Sequence, residues 1–425
     1  MLVGRGRRNS LQKMPHVLVT GGTGYIGSHT VVELVSVGWS VTIVDNFHNS
    51  SAESLRRIAS ITGKPEAVTF VRADLRDRAA VRSLFASAAT PFDGVIHFAA
   101  MKAVGESRKI PLEYYDNNLS GMLTLLSCMA EAGCKTLVFS SSCTVYGEAA
   151  KAPFSEASPV GGTTNAYATT KFMAEQLLAD LARCDATWRI CILRYFNPVG
   201  AHPSGVLGED PRGIPNCLMP YVQQVLVGRL QQLTVFGKDY ATRDGTCVRD
   251  YIHVVDVARG HLDALVWMRK RQAECQAAGQ PTGLIDYFNF GTGTGSTVLE
   301  LVAGMEKASG KKVQLVWGER RDGDLAEAYA DITKVRVGRG GGGGRGARHC
   351  TQGCSARREG CWEVSTGALI HPLTHSHTFF HTLQAGAVLG WVPKYTLEDS
   401  CRDAWNFISK NPNGYEAPAA EGGAQ

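Results

Sequence analysis

Apolar and polar positions alternate in a regular rhythm along the first 200 residues of the chain. Short apolar runs rich in Val and Ile favour β-strands, and the longer segments between them have the spacing of amphipathic helices. Because buried strands separated by helices form parallel sheets, the pattern predicts an α/β fold with a doubly wound parallel sheet. The predicted strands are HVLVT (16–20), SVTIVD (40–45), AVTFVRAD (67–74), GVIHFAA (94–100), TLVFSSS (136–142) and WRICILRYFN (188–197).

This alternation ends after Asn197, where loops with proline and glycine become frequent. We expect a smaller α/β lobe from this point, interleaved with the last strands of the sheet. The predicted organisation is a disordered basic extension (1–13), a first domain that carries the sheet (14–197), the smaller lobe (198–334 and 385–418), an anomalous insertion (335–384) and a tail (419–425).

The composition fits a soluble globular protein, since 44% of the 425 residues are hydrophobic and 20% are charged. No apolar run approaches the roughly 20 residues that span a bilayer, and residues 1–13 lack the apolar region of a signal peptide. Twelve cysteines are scattered along the chain without the regular spacing of a disulfide framework, which is typical of a protein with reduced thiols. We therefore expect a cytoplasmic protein with no membrane partner and a working start at Met14.

The net charge of +5 comes from two segments outside the predicted domains. Residues 1–13 contribute +4. Residues 335–384 contribute another +4, because they contain six arginines and only two acidic residues, Glu359 and Glu363. The rest of the chain carries about −3, so it has no excess of basic residues. We expect no nucleic-acid partner.

The segment 335–384 contains a five-glycine run and has no clear periodicity. Such a sequence cannot readily offset the entropy cost of its own ordering, so it is predicted to be disordered. Cys350, Cys354 and Cys361, together with five histidines, suggest zinc, but their spacing fits no familiar finger. We predict no bound metal.

A glycine turn follows the first strand and opens a helix. In TGGTGYIGSH, Gly21, Gly24 and Gly27 have the spacing that permits a tight turn, the approach of a pyrophosphate and helix–strand packing. Asp45 ends the second strand, where a carboxylate accepts hydrogen bonds from an adenosine ribose and repels a 2′-phosphate. We predict that residues 14–197 form a Rossmann domain that binds NAD. The alternative for Asp45 alone is a structural role, as a carboxylate in a turn or at a helix N-cap.

Four residues after the next strands extend this predicted cofactor site. Asp74 follows the third strand and is placed to meet the adenine edge. Phe98, Ala99 and Lys102 follow the fourth strand, where the diphosphate and ribose would pass. For Lys102, an ordinary exposed loop lysine is the alternative.

NAYATTK places Tyr167 four residues before Lys171, on one face of a predicted helix. A nearby ammonium lowers the pKa of a phenol, and a phenolate can take a proton from an alcohol while hydride leaves for a nicotinamide. Ser142, at the end of the fifth strand, would hydrogen-bond the same substrate oxygen. Lys171 would both tune Tyr167 and hold the nicotinamide ribose.

The chain resembles the UDP-glucose 4-epimerases of the extended short-chain dehydrogenase/reductase family. The shared runs include VLVTGGTGYIGSHT, VIHFAAMKAVGES, FSSSCTVYG, LRYFNPVGAHPSG and GEDP, and they cover nearly all of the chain except 1–13 and 335–384. The resemblance implies an isomerase that keeps its NAD. Tyr167 removes the proton of the sugar 4-hydroxyl, hydride passes from C4 to NAD, the 4-keto sugar rotates, and hydride returns to its other face. The resemblance also implies a homodimer built on the helices before Cys134 and after Asn165.

The same resemblance implies further contacts on both ligands. The added cofactor residues are Tyr25, Ile26, Asn46, Asn49, Ser50, Leu75, Asn117 and Tyr195, besides Tyr167 and Lys171. The UDP-sugar residues are Lys102, Ser142, Tyr167, Asn197, Asn216, Leu218, Phe236, Arg249, Arg321, Asp324 and Ala328.

The sequence departs from the family pattern at three places. Tyr-Ala-Thr-Thr-Lys replaces the usual Tyr-Gly-x-Ser-Lys, and Cys143 replaces an alanine. At Ala328 a bulky residue in the family narrows the sugar pocket, so the small alanine implies that N-acetylated UDP-sugars, UDP-GalNAc and UDP-GlcNAc, are also accepted.

Two other functions compete with epimerisation. Nucleotide-sugar 4,6-dehydratases carry an Asp-Glu pair after the catalytic Ser or Thr, whereas this chain has Cys143 and Thr144 there. A non-catalytic protein that binds NAD and a nucleotide sugar, inactivated by the insertion, is the other alternative.

Removing 335–384 joins Lys334 to AGAVLGW and restores the family pattern that ends in Leu-Gly-Trp. We therefore hypothesise that the segment is a translated, unspliced intron or a gene-model error, with a genuine disordered surface insertion as the alternative. Trp391 is expected to pack in the core.

Overall fold

The computed structural model of the chain describes residues 14–321, 323–336 and 389–415. Its strands are β1 (His16–Thr20), β2 (Ser40–Asp45), β3 (Val68–Arg72), β4 (Gly94–His97), β5 (Thr136–Ser142), β6 (Arg189–Tyr195), β7 (Asn197–Val199), β8 (Leu233–Phe236), β9 (Val248–Arg249), β10 (Tyr251–His253), β11 (Leu284–Phe290), β12 (Ser296–Thr297), β13 (Leu315–Gly318) and β14 (Glu327–Ala328).

Helices alternate with these strands. The α-helices are α1 (Tyr25–Ser36), α2 (Glu53–Thr62), α3 (Arg78–Ser87), α4 (Val104–Ser107), α5 (Pro111–Tyr115), α6 (Gly121–Glu131), α7 (Ala166–Cys184), α8 (Leu218–Leu226), α9 (Val254–Ala277), α10 (Val298–Ser309), α11 (Thr333–Arg336) and α12 (Leu397–Lys410). Short 3-10 segments cover Pro65–Ala67 and Cys143–Tyr146, and a π-helical turn covers Asp116–Ser120.

Seven strands form one parallel sheet in the order β11-β6-β5-β4-β1-β2-β3. This confirms the predicted doubly wound α/β fold. The predicted strands at 16–20, 40–45 and 136–142 have the observed bounds. The last predicted strand divides into β6 and β7, because Asn197–Val199 leaves the large sheet and pairs with β10.

Side chains of the sheet point alternately to two apolar layers, as the pleat requires. Val17 and Val19 of β1 face a core with the buried residues of α1 and α9, whereas Leu18 faces a core with α3, α6 and α7. Burial on both faces explains why the strands read as continuous apolar runs in the sequence.

A smaller core forms around α8, α10 and α12, with Met219, Leu301 and Ala404 among its buried side chains. A two-stranded sheet of β8 and β13 and a three-stranded sheet in the order β12-β9-β14 adjoin it. Strand β11, which lies beyond residue 197, pairs with β6 inside the large sheet. The division of the chain into two domains at residue 197 stays a proposal.

Trp391 is buried with 1% of its surface exposed, which confirms its predicted place in the core. Its indole Nε1 donates a hydrogen bond to the Asp256 carbonyl oxygen (2.9 Å), and the Asp256 carboxylate accepts from the backbone amides of Lys394 and Tyr395. These bonds fix the chain that leads into α12 against α9.

Several predictions fall on residues that the structure does not describe. They are the disordered extension 1–13, the insertion beyond residue 336 with its cysteines and histidines, and the tail 419–425. Within the described part of the chain, no helix combines the length and the apolar character needed to cross a membrane.

Candidate active site

A cleft of about 1160 Å³ lies at the carboxyl ends of the sheet strands, where open α/β sheets bind their ligands. The structure brings every residue of the predicted site onto its wall. On the predicted cofactor side these are Gly21, Gly24, Tyr25, Ile26, Gly27, Asp45, Asn46, Asn49, Ser50, Asp74, Leu75, Phe98, Ala99, Lys102, Asn117, Tyr167, Lys171 and Tyr195. On the predicted sugar side they are Ser142, Asn197, Asn216, Leu218, Phe236, Arg249, Arg321, Asp324 and Ala328.

The glycine turn between β1 and α1 fits a dinucleotide. Gly21 has a positive φ of 69°, and a Cβ there would lie 2.7 Å from the Ala99 amide nitrogen. A Cβ on Gly27 would collide with the Gly21 carbonyl oxygen. Gly24 is the N-cap of helix α1 and offers no capping side chain, and the first turn of the helix has no acidic residue. Its amide groups and its positive end are therefore available to a diphosphate.

The Asp45 carboxylate organises the loop after β2. It accepts hydrogen bonds from the amides of Thr23 (3.2 Å) and Phe47 (2.9 Å) and from the Ser50 hydroxyl (3.0 Å). Phe47 has a positive φ of 60°, which these bonds help to hold. Asp45 therefore has the structural role in the turn that was the alternative to ribose binding. A carboxylate has about four acceptor sites, so it can also accept from a ribose hydroxyl.

Asp74 and Asn46 meet on the same side of the cleft. The Asn46 amide donates to the Asp74 carboxylate (3.1 Å), which also pairs with Arg76 (2.8 Å). Hydrogen bonding from Arg76 holds the pKa of this carboxyl far below its usual range. An ionised Asp74 remains a suitable acceptor for an adenine amino group.

Ser142 and Tyr167 form the centre of the cleft. The Ser142 hydroxyl oxygen accepts hydrogen bonds from the Thr144 amide (3.2 Å) and hydroxyl (3.0 Å), and its own proton can be donated into the cleft that Tyr167 also lines. Tyr167 lies in the first turn of α7, a helix capped by the Asn165 side chain. A shared substrate oxygen can therefore contact both hydroxyl groups.

Burial raises the pKa of the Tyr167 phenol above its usual range, while the Ser142 hydrogen bond and the Lys102 charge lower it. The lowering of this pKa by Lys171 stays a prediction. The Lys171 Nζ donates to the Ser140 carbonyl oxygen (2.6 Å) and lies 4.9 Å from the Phe139 ring centre. Burial lowers the pKa of Lys171 to about 8, against the opposing charge of Glu175.

Lys102 is an ion-pair partner in the cleft rather than a free loop lysine. Its Nζ lies 3.0 Å from the Glu209 carboxylate and 6.0 Å from the centre of the Tyr25 ring. The Glu209 charge raises the pKa of Lys102 above its usual range, so the group is an ammonium at neutral pH.

On the sugar side, Arg249 and Arg321 flank one carboxylate. Asp324 lies 3.7 Å from the Arg249 guanidinium and 2.7 Å from that of Arg321. Arg249 also donates to the carbonyl oxygens of Val248 and Leu325, each at 2.8 Å, which aligns its guanidinium along β9. The Arg321 guanidinium lies 5.1 Å from the Phe236 ring centre. A half-exposed aromatic ring beside two guanidinium groups suits a base and a diphosphate.

Ala328 is buried beside Arg249, its partner in the β9–β14 pairing. Asn197 starts β7, and Asn216 and Leu218 lie where α8 begins. Tyr195 of β6 shares a hydrogen bond with His261, and burial raises its pKa well above the usual range. Asn117 lies in the π-helical turn and donates to Asn118 (2.9 Å), which itself binds both backbone polar groups of Met101.

Many residues on the wall of the cleft were absent from the predicted site, and three of these join residues 208–212 to other parts of the chain. They are Glu209, Arg212 and Tyr415. The GEDP run that contains Glu209 belongs to the family pattern, but nothing in the local sequence indicates that Glu209 pairs with Lys102. Tyr415 reaches the cleft only because α12 returns to it through tertiary packing.

Within 14–321, 323–336 and 389–415, no group of three or more His, Cys, Asp or Glu side chains is arranged to hold a metal ion. The groups of the cleft that can bind or exchange a proton include Ser142, Tyr167, Lys171 and Lys102. They suit proton transfer to and from a hydroxyl group next to a bound dinucleotide.

The model of the NAD dependent epimerase/dehydratase family matches residues 17–274. The chain is 52% identical to UDP-glucose 4-epimerase of Bos taurus over 409 residues, covering 95% of this chain and 99% of the relative. It is 47% identical to UDP-glucose 4-epimerase 2 of Arabidopsis thaliana over 402 residues, covering 94% and 97%. The crystal structure of UDP-glucose 4-epimerase from Bifidobacterium longum, in complex with NAD+ and UDP, is similar with a TM-score of 0.75 and 41% identity, covering 94% and 99%.

Proposed function

This chain belongs to the UDP-glucose 4-epimerases, within the NAD dependent epimerase/dehydratase family, and we propose here which of its groups perform the reaction. The reaction interconverts UDP-galactose and UDP-glucose at C4 of the sugar. When bound, NAD supplies a reversible hydride acceptor for that carbon. The observation that carries our assignment is that Ser142, Tyr167 and Lys171 line the same cleft as the glycine turn.

Tyr167 is the proposed acid and base. Its phenolic oxygen takes the proton of the sugar 4-hydroxyl and later returns a proton to the same oxygen on the opposite epimer. Because burial raises its pKa, the phenol needs nearby positive charge and a hydrogen-bond donor to ionise. Ser142 supplies the donor, and Lys102 supplies the charge. Ser142 also holds the substrate oxygen in line.

We propose that Lys171 keeps the two roles that the sequence predicts. Its ammonium is fixed by the Ser140 carbonyl oxygen at the end of β5, one helical turn from Tyr167. From this position it is placed to donate to the hydroxyls of a nicotinamide ribose. It also adds to the positive field that a phenolate requires.

The proposed diphosphate and uridine contacts come from the guanidinium groups of Arg249 and Arg321 and from the Asp324 carboxylate between them. Arg249 and Arg321 would exchange part of their pairing with Asp324 for phosphate oxygens, which match a guanidinium fork. Phe236 would stack on the base. Binding the long UDP group holds the oxidised sugar in the cleft while it rotates, so remote contacts serve the chemistry.

We also propose that the sugar pocket accepts UDP-GalNAc and UDP-GlcNAc. Ala328 lies on the cleft wall with a side chain of a single methyl group. A larger side chain there would extend into the space next to Arg249, where the sugar would lie. The support for this proposal is the size of the residue and its position.

Two further proposals concern the assembly and its location. Helices α6 and α7 present Leu123 and Met173, which are 50% and 45% exposed, and these apolar side chains support a homodimer built on those helices. We propose that this dimer is cytoplasmic. Light scattering of the wild type and of Met173→Glu would test the interface, with a monomer expected only for the variant.

The function itself is tested by expressing the chain with and without 335–384 and measuring the conversion of UDP-galactose to UDP-glucose without added NAD. Conversion by either form supports the proposal. Conversion by the deleted form alone also supports our hypothesis that 335–384 is not part of the working enzyme. If both forms fold and bind NAD, yet neither converts the sugar, the assignment is wrong.

A further inference from the structure

Residues 208–212 (GEDPR), which we call the strap, lie along the wall of the cleft. The sequence gives these residues no role beyond their match to the family. In the structure they are tied to three separate parts of the chain, and each tie is made by a different residue of the strap.

The first tie joins the strap to the loop after β2. The Arg212 guanidinium donates to the carbonyl oxygens of His48 (3.1 Å) and Ser50 (2.7 Å). The Ser50 hydroxyl in turn bonds the Asp45 carboxylate (3.0 Å) and the Thr23 hydroxyl (2.8 Å). Arg212 therefore holds the loop that carries the proposed ribose-binding carboxylate.

The second tie is the ion pair between Glu209 and Lys102, both on the wall of the cleft, with the Lys102 Nζ 6.0 Å from the centre of the Tyr25 ring. The Glu209 side chain is 11% exposed, whereas the Lys102 side chain is 52% exposed, so the pair lies at the rim of the cleft where water reaches the ammonium. Tyr25 starts the helix whose amino end faces the proposed diphosphate position.

The third tie anchors the strap to the end of the described chain. The Tyr415 hydroxyl donates to the Gly208 carbonyl oxygen (2.9 Å), and the Tyr415 amide donates to the Asp210 carboxylate (2.9 Å). The Arg57 guanidinium lies 4.2 Å from the centre of the Tyr415 ring. Gly208 and Asp210 of the strap are thereby held in place, while Glu209 and Arg212 bind the other two parts of the chain.

We propose that the strap is a cofactor-retaining clamp, in which Arg212 and Glu209 are positioning residues that close the cleft over NAD between the Asp45 loop and the glycine turn. This inference rests on the proposed function, because an enzyme that restores its cofactor in every cycle has no need to release it. The two ties slow the opening that NAD needs to escape.

The test uses Arg212→Ala in the full-length protein, purified alongside the wild type. Arg212 is exposed on its outer side, so the substitution removes two hydrogen bonds without leaving a cavity in the core. The matched control is Arg183→Ala, which removes an exposed arginine that pairs with Asp180 (2.8 Å) far from the strap. Bound NAD is measured after gel filtration by its release on denaturation, and its dissociation is followed over time by exchange with labelled NAD.

We expect Arg212→Ala to lose NAD about tenfold faster than the wild type, since each lost bond has a charged donor. Its epimerase activity should depend on added NAD and recover at saturating NAD, with the KM for UDP-galactose within about twofold of the wild-type value. Arg183→Ala should match the wild type in every measurement. Glu209→Gln, which opens the other side, should also release NAD faster.

The clamp is disproved if Arg212→Ala and Glu209→Gln both exchange NAD at the wild-type rate. It is also disproved if activity falls but added NAD does not restore it, because that result indicates a general structural role. Should Arg212→Ala fail to fold, Arg212→Lys, which keeps the charge but cannot reach both carbonyl oxygens, gives the same readout. NAD exchange is independent of turnover, so an inactive wild type that retains NAD would contradict the proposed function and leave the clamp to be judged by exchange alone.

Discussion

The Lys171 ammonium donates a hydrogen bond to the Ser140 carbonyl oxygen, 2.6 Å away, two residues before Ser142 on the same strand. Helix α7 and strand β5 are thereby joined at the point where both contribute to the cleft. Tyr167 lies one helical turn before Lys171 on α7, and Ser142 lies two residues after Ser140 on β5. Lys171 is thus part of the framework that sets the spacing between the two hydroxyl groups.

The charge of Lys171 should limit activity at alkaline pH. Burial lowers its pKa to about 8, so the ammonium is present below that pH and is lost as the pH rises through it. We expect kcat to fall above about pH 8. The pH profile of Lys171→Arg checks this result, because a guanidinium stays charged over the same range. An unchanged alkaline limb in that variant would show that another group causes the fall.

Replacing Ser142 by alanine removes the donor that stabilises ionised Tyr167. Loss of one such donor typically costs about a hundredfold in kcat. Because the Ser142 hydrogen bond lowers the pKa of Tyr167, the acid limb of the pH profile should also move to higher pH. Steady-state kinetics from pH 6 to 9 measure both effects. Bound NAD should stay at the wild-type level, and a loss of NAD would mean that the site has been disturbed more widely.

Buried neutral histidines should make the fold sensitive to acid. Burial, helped by the Lys171 charge, lowers the pKa of His97 from 6.5 to about 3, and burial lowers that of His29 and His261 to about 3. Between these values the unfolded chain binds the proton and the folded chain does not. The free energy of unfolding should therefore fall as the pH decreases from 6.5, by up to about 1.4 kcal/mol per pH unit for each histidine.

Urea unfolding of the wild type and of His97→Asn at pH 7, 6 and 5 checks this slope. The asparagine keeps a polar group near the Thr20 hydroxyl, which His97 Nδ1 meets at 2.7 Å, but it cannot titrate. We expect a shallower decrease for the variant. His48→Asn, at an exposed position, is the control and should keep the wild-type slope. Equal slopes for all three proteins would contradict the prediction.

Ala328→Tyr should separate the two proposed substrate classes. The larger side chain would fill part of the sugar pocket, so turnover of UDP-GalNAc should fall at least tenfold more than that of UDP-galactose. Glu327→Tyr introduces the same residue one position earlier, where the side chain is exposed, and should change neither activity. A wild-type enzyme with no detectable activity on UDP-GalNAc would refute the specificity proposal.

The sequence was sufficient for the strands that are buried on both faces and for the turn between the first of them and its helix. The β-branched runs at 16–20, 40–45 and 136–142 have the observed bounds, because burial on both faces and local propensity favour the same structure. Gly21, Asp45 and Ser142 were found from their positions at strand ends, and Tyr167 was found from its spacing to Lys171 at the start of a helix. The polar groups of an α/β cleft gather there.

Other features depend on contacts that no local pattern contains. Strand β11 pairs with β6 from nearly 100 residues away, so its place in the sheet was not predicted. The orientation of Lys171 depends on which acceptor lies closest in three dimensions, and a spacing of four residues cannot specify it. Likewise, Glu209 faces Lys102 across 107 residues of sequence. The π-helical turn at Asp116–Ser120 is likewise held by tertiary bonds, such as that from Asn118 to Thr170 (3.0 Å).

Tyr167→Phe, prepared with its bound NAD, tests the central claim most directly. The measurement is single-turnover conversion of UDP-galactose to UDP-glucose, compared with the wild type at equal NAD content. We expect the variant to bind UDP and NAD normally and to convert the sugar at least about a thousandfold more slowly, since it lacks the acid and base. A rate within tenfold of the wild type would show that Tyr167 is not the group that moves the proton.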